Sequence, residues 1–262
     1  MKFDLISDLH KDFWNDNEQV NWDGIGTSLV ACIVGDISYD TNITYKTIVD
    51  ISKNYKYTIF VDGNHEHDNQ CGFQEHNQQL KNELSKYQNI VYLNRSAIVI
   101  DGTAFVGANG WWTFDFMEPD VSREDAYWYF LQNNIYSEPF MHEVHQTALE
   151  DARIISEIVA KLSKDSSVRE IILLTHTSPS KEFMDFKNFP DHHPAHFSRC
   201  GSSELLKILK FDNGKKIKVW CFGHVHQEFD EVINNIRYVC HPRGRKDDSP
   251  ENLFYYPKMI EI

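Results

Sequence analysis

The chain has 262 residues, 41% hydrophobic and 25% charged, ordinary proportions for a globular protein and enough for one large domain or two small ones. No apolar run approaches the ~20 residues that cross a bilayer, so no membrane partner is expected. The net charge of −13 argues against a protein that grips long nucleic acid by its phosphates, because that grip needs a basic face.

The opening MKFDLISDLHKDF carries an aspartate inside its first apolar stretch and no small-residue cleavage site, which is not the pattern of a signal peptide. The cysteines (Cys32, Cys71, Cys200, Cys221, Cys240) are odd in number and form no CxxC, and three of them sit in strand-like runs. They predict reduced thiols in a cytoplasmic protein. There is no internal repeat, low-complexity segment or Pro/Gly/Ser linker, so a single domain over 1–262 is expected.

In chain order, the first apolar run, Phe3–Ser7, leads into Asp8-Leu9-His10. Gly24-Ile25-Gly26 then begins like a dinucleotide fingerprint, but it precedes a strand-like run and lacks the third glycine, so it reads as a loop. The second run, Leu29–Val34, leads into Gly35-Asp36. A helical pattern over Thr44–Tyr55 precedes the third run, Tyr57–Val61, which delivers Asp62-Gly63-Asn64-His65-Glu66. Another helical pattern covers Gln74–Tyr87. Ala97–Ile100 and Thr103–Val106 flank Asp101-Gly102, a hairpin signal.

An insertion at about 111–140 holds ten of the chain's 35 aromatic residues. It is either a cap whose rings stack on a flat substrate group or a small satellite core; we prefer the core, because most aromatic clusters pack on themselves. The helix predicted over His142–Ser163 carries one apolar stripe: Val144, Ala148, Ala152, Ile155, Val159 and Leu162. Its His142 and His145 are three apart, not the four of a zinc-binding HExxH, and read as a solvated face.

The fourth run, Glu170–Thr175, ends at His176. The later His192, His193 and His196 form either a polar surface loop or a wall of a substrate site. Ser202–Lys210 reads as a helix. The fifth run, Ile217–Phe222, gives Gly223-His224-Val225-His226. Glu228–Ile233 and Ile236–His241 flank Asn234-Asn235, a second hairpin signal. Arg243 follows in a glycine-flanked turn, where it would touch a substrate phosphate or cap the turn.

Near-continuous hydrophobicity predicts strands covered on both faces, and strands mixed with helices and hairpins predict a layered α/β sandwich. Each of the five runs delivers Asp, Asn or His where the strand stops, which is where ligands gather in open α/β sheets. Singly, these are turns or surface histidines. Together, Asp8, His10, Asp36, Asn64, His176, His224 and His226 are too many donors for one ion. They suit two borderline divalent ions if one carboxylate is shared. Two metals ~3.5–4 Å apart are a recurrent device for phosphoester hydrolysis.

In that order, D-x-H, GD, GNHE, a strand-end His and GHxH resemble the calcineurin-like metallophosphoesterases over nearly the whole chain. The resemblance implies a four-layer α/β/β/α sandwich with mixed β-sheets. It implies that Asp8, His10, Asp36 and His226 hold one metal, and that Asp36, Asn64, His176 and His224 hold the other, with Asp36 bridging. The ions are expected to be Mn²⁺ first, with Fe, Zn²⁺ or Ni²⁺ as alternatives.

His65 would be the catalytic histidine, positively charged beside the scissile phosphate and able to protonate the leaving oxygen. The expected reaction is hydrolysis of a small phosphate ester, a diester, a monoester or a nucleotide, by a hydroxide held between the ions. Many members carry an aspartate three residues after the bridging one, which orients the catalytic histidine. Here Tyr39 stands at that position, so Asp40 or Glu66 is expected to take over. A non-catalytic metal-binding scaffold and a nuclease are the alternative readings. The complete donor set speaks against the first and the net charge against the second. The oligomeric state stays open.

Overall fold

The computed structural model describes residues 1–67, 70–116, 121–185, 193–247 and 250–262. The elements run β1 (Lys2–Ile6), β2 (Val30–Val34), α1 (Thr41–Ser52), β3 (Tyr57–Val61), α2 (Phe73–Leu84), β4 (Ile90–Tyr92), β5 (Ser96–Ile100) and β6 (Thr103–Ala108). They continue with α3 (Arg123–Gln132), α4 (Glu138–Lys164), β7 (Glu170–Thr175), α5 (Ser203–Leu206), β8 (Ile217–Phe222), β9 (Phe229–Ile233), β10 (Ile236–Cys240) and β11 (Lys258–Glu261).

All five apolar runs are strands, and both hairpins form where their turn residues predict them. Asp101, Asn234 and Asn235 take the left-handed backbone such turns require, with φ of 48°, 52° and 64°. The helix predicted from Thr44 begins and ends three residues earlier, at α1, and the one predicted from Gln74 begins one residue and ends three residues earlier, at α2. The one predicted over Ser202–Lys210 is a single α-turn followed by a 3-10 segment, Lys207–Phe211.

The strands form two mixed sheets, ordered β11-β1-β2-β3-β4 and β5-β6-β7-β8-β10-β9. In the first, β1 to β4 are parallel and β11 pairs antiparallel with β1. In the second, β6, β7, β8 and β10 are parallel, with β5 and β9 antiparallel at the edges.

The sheets pack face to face through Leu5, Cys32, Ile59, Ile172, Leu174, Val219 and Val239, all buried. Burying each of the larger aliphatic side chains is worth roughly 1.5–3 kcal/mol. The first sheet's outer face carries α1 and α2 through Ile33, Ile48, Ile51, Phe60, Leu80 and Leu84. The second carries α4 and the segment from α5 through Val106, Ile155, Val159, Leu173, Leu205 and Trp220. The result is the expected α/β/β/α sandwich.

Aromatic residues of 111–140 pack into a buried cluster of their own. Trp111, Trp112, Phe114, Phe130, Tyr136 and Phe140 are all buried in one cluster with the first turns of α4. Phe73 from α2 stacks on Trp111, with ring centroids 4.1 Å apart. Residues 117–120 of the insertion, and His192, lie outside the described residues.

His142 is exposed and His145, half-buried, faces Arg123, as expected of a solvated helix face. Cys32, Cys221 and Cys240 are buried thiols, Cys71 is exposed, and none of the five is in a disulfide. Among the described residues no helix is long and apolar enough to cross a membrane.

Candidate metal centre

The parallel strands β1, β2, β3, β7 and β8 all point their carboxyl ends to one rim, and the backbone keeps bonding past the strands. Asp8 N donates to Gly35 O (3.1 Å), His10 N to Asp36 O (3.0 Å), and Gly223 N to His176 O (2.8 Å). Arg243 N and Gly244 N donate to Ser7 O and Asp8 O, each at 3.0 Å. The loops therefore form a connected shelf.

Two glycines make the shelf tight. Gly35 has φ of 84°, and a Cβ there would lie 2.6 Å from both Gly63 N and His176 Nδ1. A Cβ on Gly63 would collide with the Asp36 carboxylate and backbone nitrogen. Five of the seven expected ligands also sit at positive φ: Asp8 (50°), His10 (43°), Asp36 (56°), His224 (69°) and His226 (48°). Non-glycine residues rarely adopt this backbone, and strain of that kind clusters at functional sites.

All seven expected donors meet here. Asp8, His10, Asp36 and His226 bring one ligand atom each to within 4.8 Å of one another, and so do Asp36, His176 and His224. Asn64 joins the second group, with Oδ1 3.2 Å from His176 Nε2. The two oxygens of Asp36 divide between the groups: Oδ2 is 3.8 Å from His10 Nε2 and Oδ1 is 3.2 Å from His176 Nε2.

The tautomers also fit. His176 Nδ1–H donates to Val34 O (2.9 Å), which frees Nε2 for the site. His224 Nε2–H donates to Arg199 O (3.1 Å), which turns Nδ1 inward toward His176 Nε2 at 3.2 Å. A carbonyl on the outer nitrogen is the usual partner of a metal-bound imidazole. Carboxylate and imidazole donors, with the Asn64 carboxamide oxygen making four in the second group, match borderline divalent cations.

The electrostatics describe a buried place that favours positive charge. Burial raises the Asp8 pKa. Burial would raise that of Asp36 too, but His176 and His65 hold it well below the usual range. Burial disfavours a charged His176, yet Asp36 and then Asp8 carry its pKa up to about 10. Burial pulls His10 and His224 well down.

His65 lies against this centre, with Nε2 3.7 Å from Asp36 Oδ2. Burial lowers its pKa to about 4, which runs against the charged imidazole expected from the resemblance. Its orientation is also set differently from expectation. Asp40 does not reach it; that carboxylate caps α1, accepting from Asn42 N and Ile43 N. Glu66 accepts from the backbone N–H groups of Asp36 (3.0 Å), Ile37 (2.8 Å) and Gly63 (2.7 Å). It supports the Asp36 loop instead of the His65 ring, and burial and Asp36 push its pKa up to about 7. What holds His65 is Tyr39, stacked on it with centroids 3.8 Å apart, and Arg245, whose Nη2 is 3.2 Å from His65 Nε2.

Arg243 does not reach a substrate position. It is fully buried over the Trp14 ring at 3.9 Å, and Nη2 donates to Glu18 O. Arg245, two residues on, is the arginine that lines the cleft beside Asp36, Asn64, His65 and His226. His196 and Phe197 also line it, so the histidine-rich loop does supply one wall. His193 instead stacks on Tyr129, with centroids 3.8 Å apart.

The aromatic cluster also reaches the donor groups. Trp112 stacks near His224 (5.6 Å), and Tyr136 hydrogen-bonds Arg199, whose carbonyl orients that same histidine. Neither link is signalled by a motif. The only hint in the sequence is an aromatic cluster placed between two ligand blocks.

Comparison with known proteins agrees with this geometry. The family model of calcineurin-like phosphoesterases matches residues 1–228. An uncharacterized protein, L509, of Acanthamoeba polyphaga mimivirus is 25% identical over 215 residues, covering 78% of this chain and 74% of that protein. The phosphopantetheinyl hydrolase of Mycobacterium tuberculosis shares the fold with a TM-score of 0.74 and 14% identity, over 99% of this chain and 95% of that one. A dimetal phosphatase from Danio rerio has a TM-score of 0.53 and 11% identity, over 92% and 87%. With its family's sequence pattern along most of its length and the paired donor groups at one rim, the chain belongs to the calcineurin-like phosphoesterases, dinuclear metal-dependent enzymes that hydrolyse phosphate esters.

Proposed function

We propose that this protein hydrolyses a small phosphate ester, a diester or nucleotide in preference to a simple monoester. We assign Asp8, His10, Asp36 and His226 to one divalent ion and Asp36, Asn64, His176 and His224 to the other, with Asp36 shared. The observation that carries the reading is the division of the two Asp36 oxygens between two donor groups. When bound, the ions supply Lewis acidity toward the phosphoryl oxygens and lower the pKa of water to the neutral range. Mn²⁺ is the first ion to test.

The chain's own residues do the rest. The carbonyls of Val34 and Arg199 hold His176 and His224 in the tautomers that aim a lone pair inward. The Glu66 carboxylate anchors the Asp36 loop through three backbone N–H groups. His65, 3.7 Å from Asp36 Oδ2 and lining the cleft, is the residue we assign to the leaving oxygen through Nε2. Met184, Phe197 and Val225 give the cleft an apolar side that suits an organic leaving group.

We take 1–262 as one catalytic domain working in the cytoplasm, a placement supported by its unpaired thiols. An acidic chain of −13 suits a small substrate better than a polymeric one.

The test is turnover of a chromogenic phosphodiester, its monoester counterpart and a phosphopantetheinyl ester after EDTA treatment and Mn²⁺ add-back. The last is included because a protein of similar fold is named a phosphopantetheinyl hydrolase. Metal-dependent turnover is expected, faster on diesters, with Asp36→Asn and His65→Ala each reduced at least a hundredfold. Stoichiometric metal uptake without turnover on any ester would move the protein to the non-catalytic scaffold reading.

A further inference from the structure

The cleft beside the donor groups contains a positive charge that the metal ligands do not use. The Arg245 guanidinium lies over the Phe13 ring at 4.6 Å, and its Nη2 is 3.2 Å from His65 Nε2. Its Nε is buried with no hydrogen-bond partner among the described residues. Arg95, Arg153 and Arg237 each face a carboxylate, at 2.5–2.7 Å. No ion pair among the described residues includes Arg245. Arg199, the other guanidinium lining the cleft, donates to the Tyr136 hydroxyl at 2.5 Å.

A partly desolvated cation without a counter-ion is costly unless an anion completes it. A guanidinium can only donate hydrogen bonds, so His65 Nε2 accepts here and the ring proton belongs on Nδ1. The planar fork of arginine matches the oxygens of a phosphoryl group, which a point charge on lysine does not. Tyr39, standing where an aspartate was expected, covers His65 with a ring and leaves Arg245 as the positively charged group beside it, with Asp36 Oδ2 at 3.7 Å.

We propose that Arg245 is the phosphoryl-binding residue of this cleft. Before substrate enters, it holds the His65 ring by donating to Nε2. When the ester arrives, the guanidinium takes a non-bridging phosphate oxygen, and the freed His65 Nε2 takes a proton from solvent, which it can then give to the leaving oxygen. This rests on the hydrolase reading above, and adds to it the recognition of a phosphate anion by one residue outside the metal ligands.

The test titrates inorganic phosphate calorimetrically into Mn²⁺-loaded wild type, Arg245→Lys and Arg245→Met, with metal content measured on the same samples. The wild type is expected to bind phosphate, Arg245→Lys about tenfold more weakly, and Arg245→Met about a hundredfold more weakly, with metal content unchanged in both. KM for the ester should rise in the same order.

Phosphate affinity within about threefold of wild type in Arg245→Met, or no phosphate binding by the wild type, overturns the proposal. If Arg245→Met does not fold, Arg245→Lys decides: undiminished affinity overturns it. Phosphate binding needs no turnover. A wild type that binds phosphate through Arg245 but cleaves no ester would therefore overturn the hydrolase reading and leave this assignment standing.

Discussion

At the scale of single residues, the positions of Asp8, Asp36 and His176 depend on the absence of a side chain at a neighbouring glycine. Gly63 shows this most directly, since a Cβ there would meet the Asp36 carboxylate, the group shared by both donor sets. Gly63→Ala is expected to displace Asp36, to lower metal content below two ions per chain and to reduce turnover at least tenfold, read by elemental analysis beside an ester assay. Full metal content in the variant would mean the loop relaxes around the methyl group. The ligands themselves were legible because each follows a strand. The two arginines were not. Arg243 and Arg245 flank Gly244, whose φ of 76° turns the chain between them. Which of the two faces the cleft depends on Trp14 taking Arg243 and Phe13 taking Arg245, and both rings come from the far end of the sequence.

At the scale of elements, the long helix α4 was readable from its apolar stripe, which runs on to Val159, but the reading began at His142 and missed the first turn, where Ser137 is the N-cap and Pro139 follows. Helix α3 escaped notice inside the aromatic insertion: Tyr127, Trp128, Tyr129 and Phe130 are consecutive, so no single apolar face stands out. Strands β4 and β11 were missed for a different reason. The first has three residues and the second buries only Ile260, too little for a periodic pattern.

The closing segment is tied down by charge as well as by pairing. Asp230 on β9 accepts from Arg237 Nε and Nη2 of β10 at 2.7 and 2.9 Å, and lies 3.0 Å from Lys258 of β11. The Arg237 hydrogen bond, then Lys258, lowers the Asp230 pKa to about 2. A depressed carboxylate stabilises the fold above its unfolded pKa of about 3.9, and the contribution fades as pH falls through the folded value. The cluster is partly exposed and screened, so Asp230→Asn should cost no more than about 1 kcal/mol at pH 7. That difference should shrink between about pH 4 and pH 2 in urea denaturation; a difference that stays constant over this range would assign it to packing.

At the scale of the whole molecule, the two sheets meet so that five loops from distant parts of the sequence share one rim. Asp8 and His226 lie 218 positions apart in sequence, yet His226 Nε2 is 3.7 Å from Asp8 Oδ1. Ions that bind there bind only the folded chain, so they must stabilise it. Removal of metal by EDTA is expected to lower Tm, and Mn²⁺ add-back to restore it; at a hundred times Kd one site contributes about 2.7 kcal/mol. An unchanged Tm across that cycle would mean that the donors hold no ion tightly.

The sequence by itself determined the five ligand-bearing strands, the two hairpins, the order of the ligand blocks, the sandwich and the family, because strand hydrophobicity and strand-end donors are local properties. Only the tertiary structure decided what surrounds the donors. Val34 and Arg199 orient two of the histidines, Glu66 supports the Asp36 loop, and Tyr39 and Arg245 hold His65. These are contacts between loops whose separation along the chain carries no information about their distance in space. They exist because two sheets pack at one register.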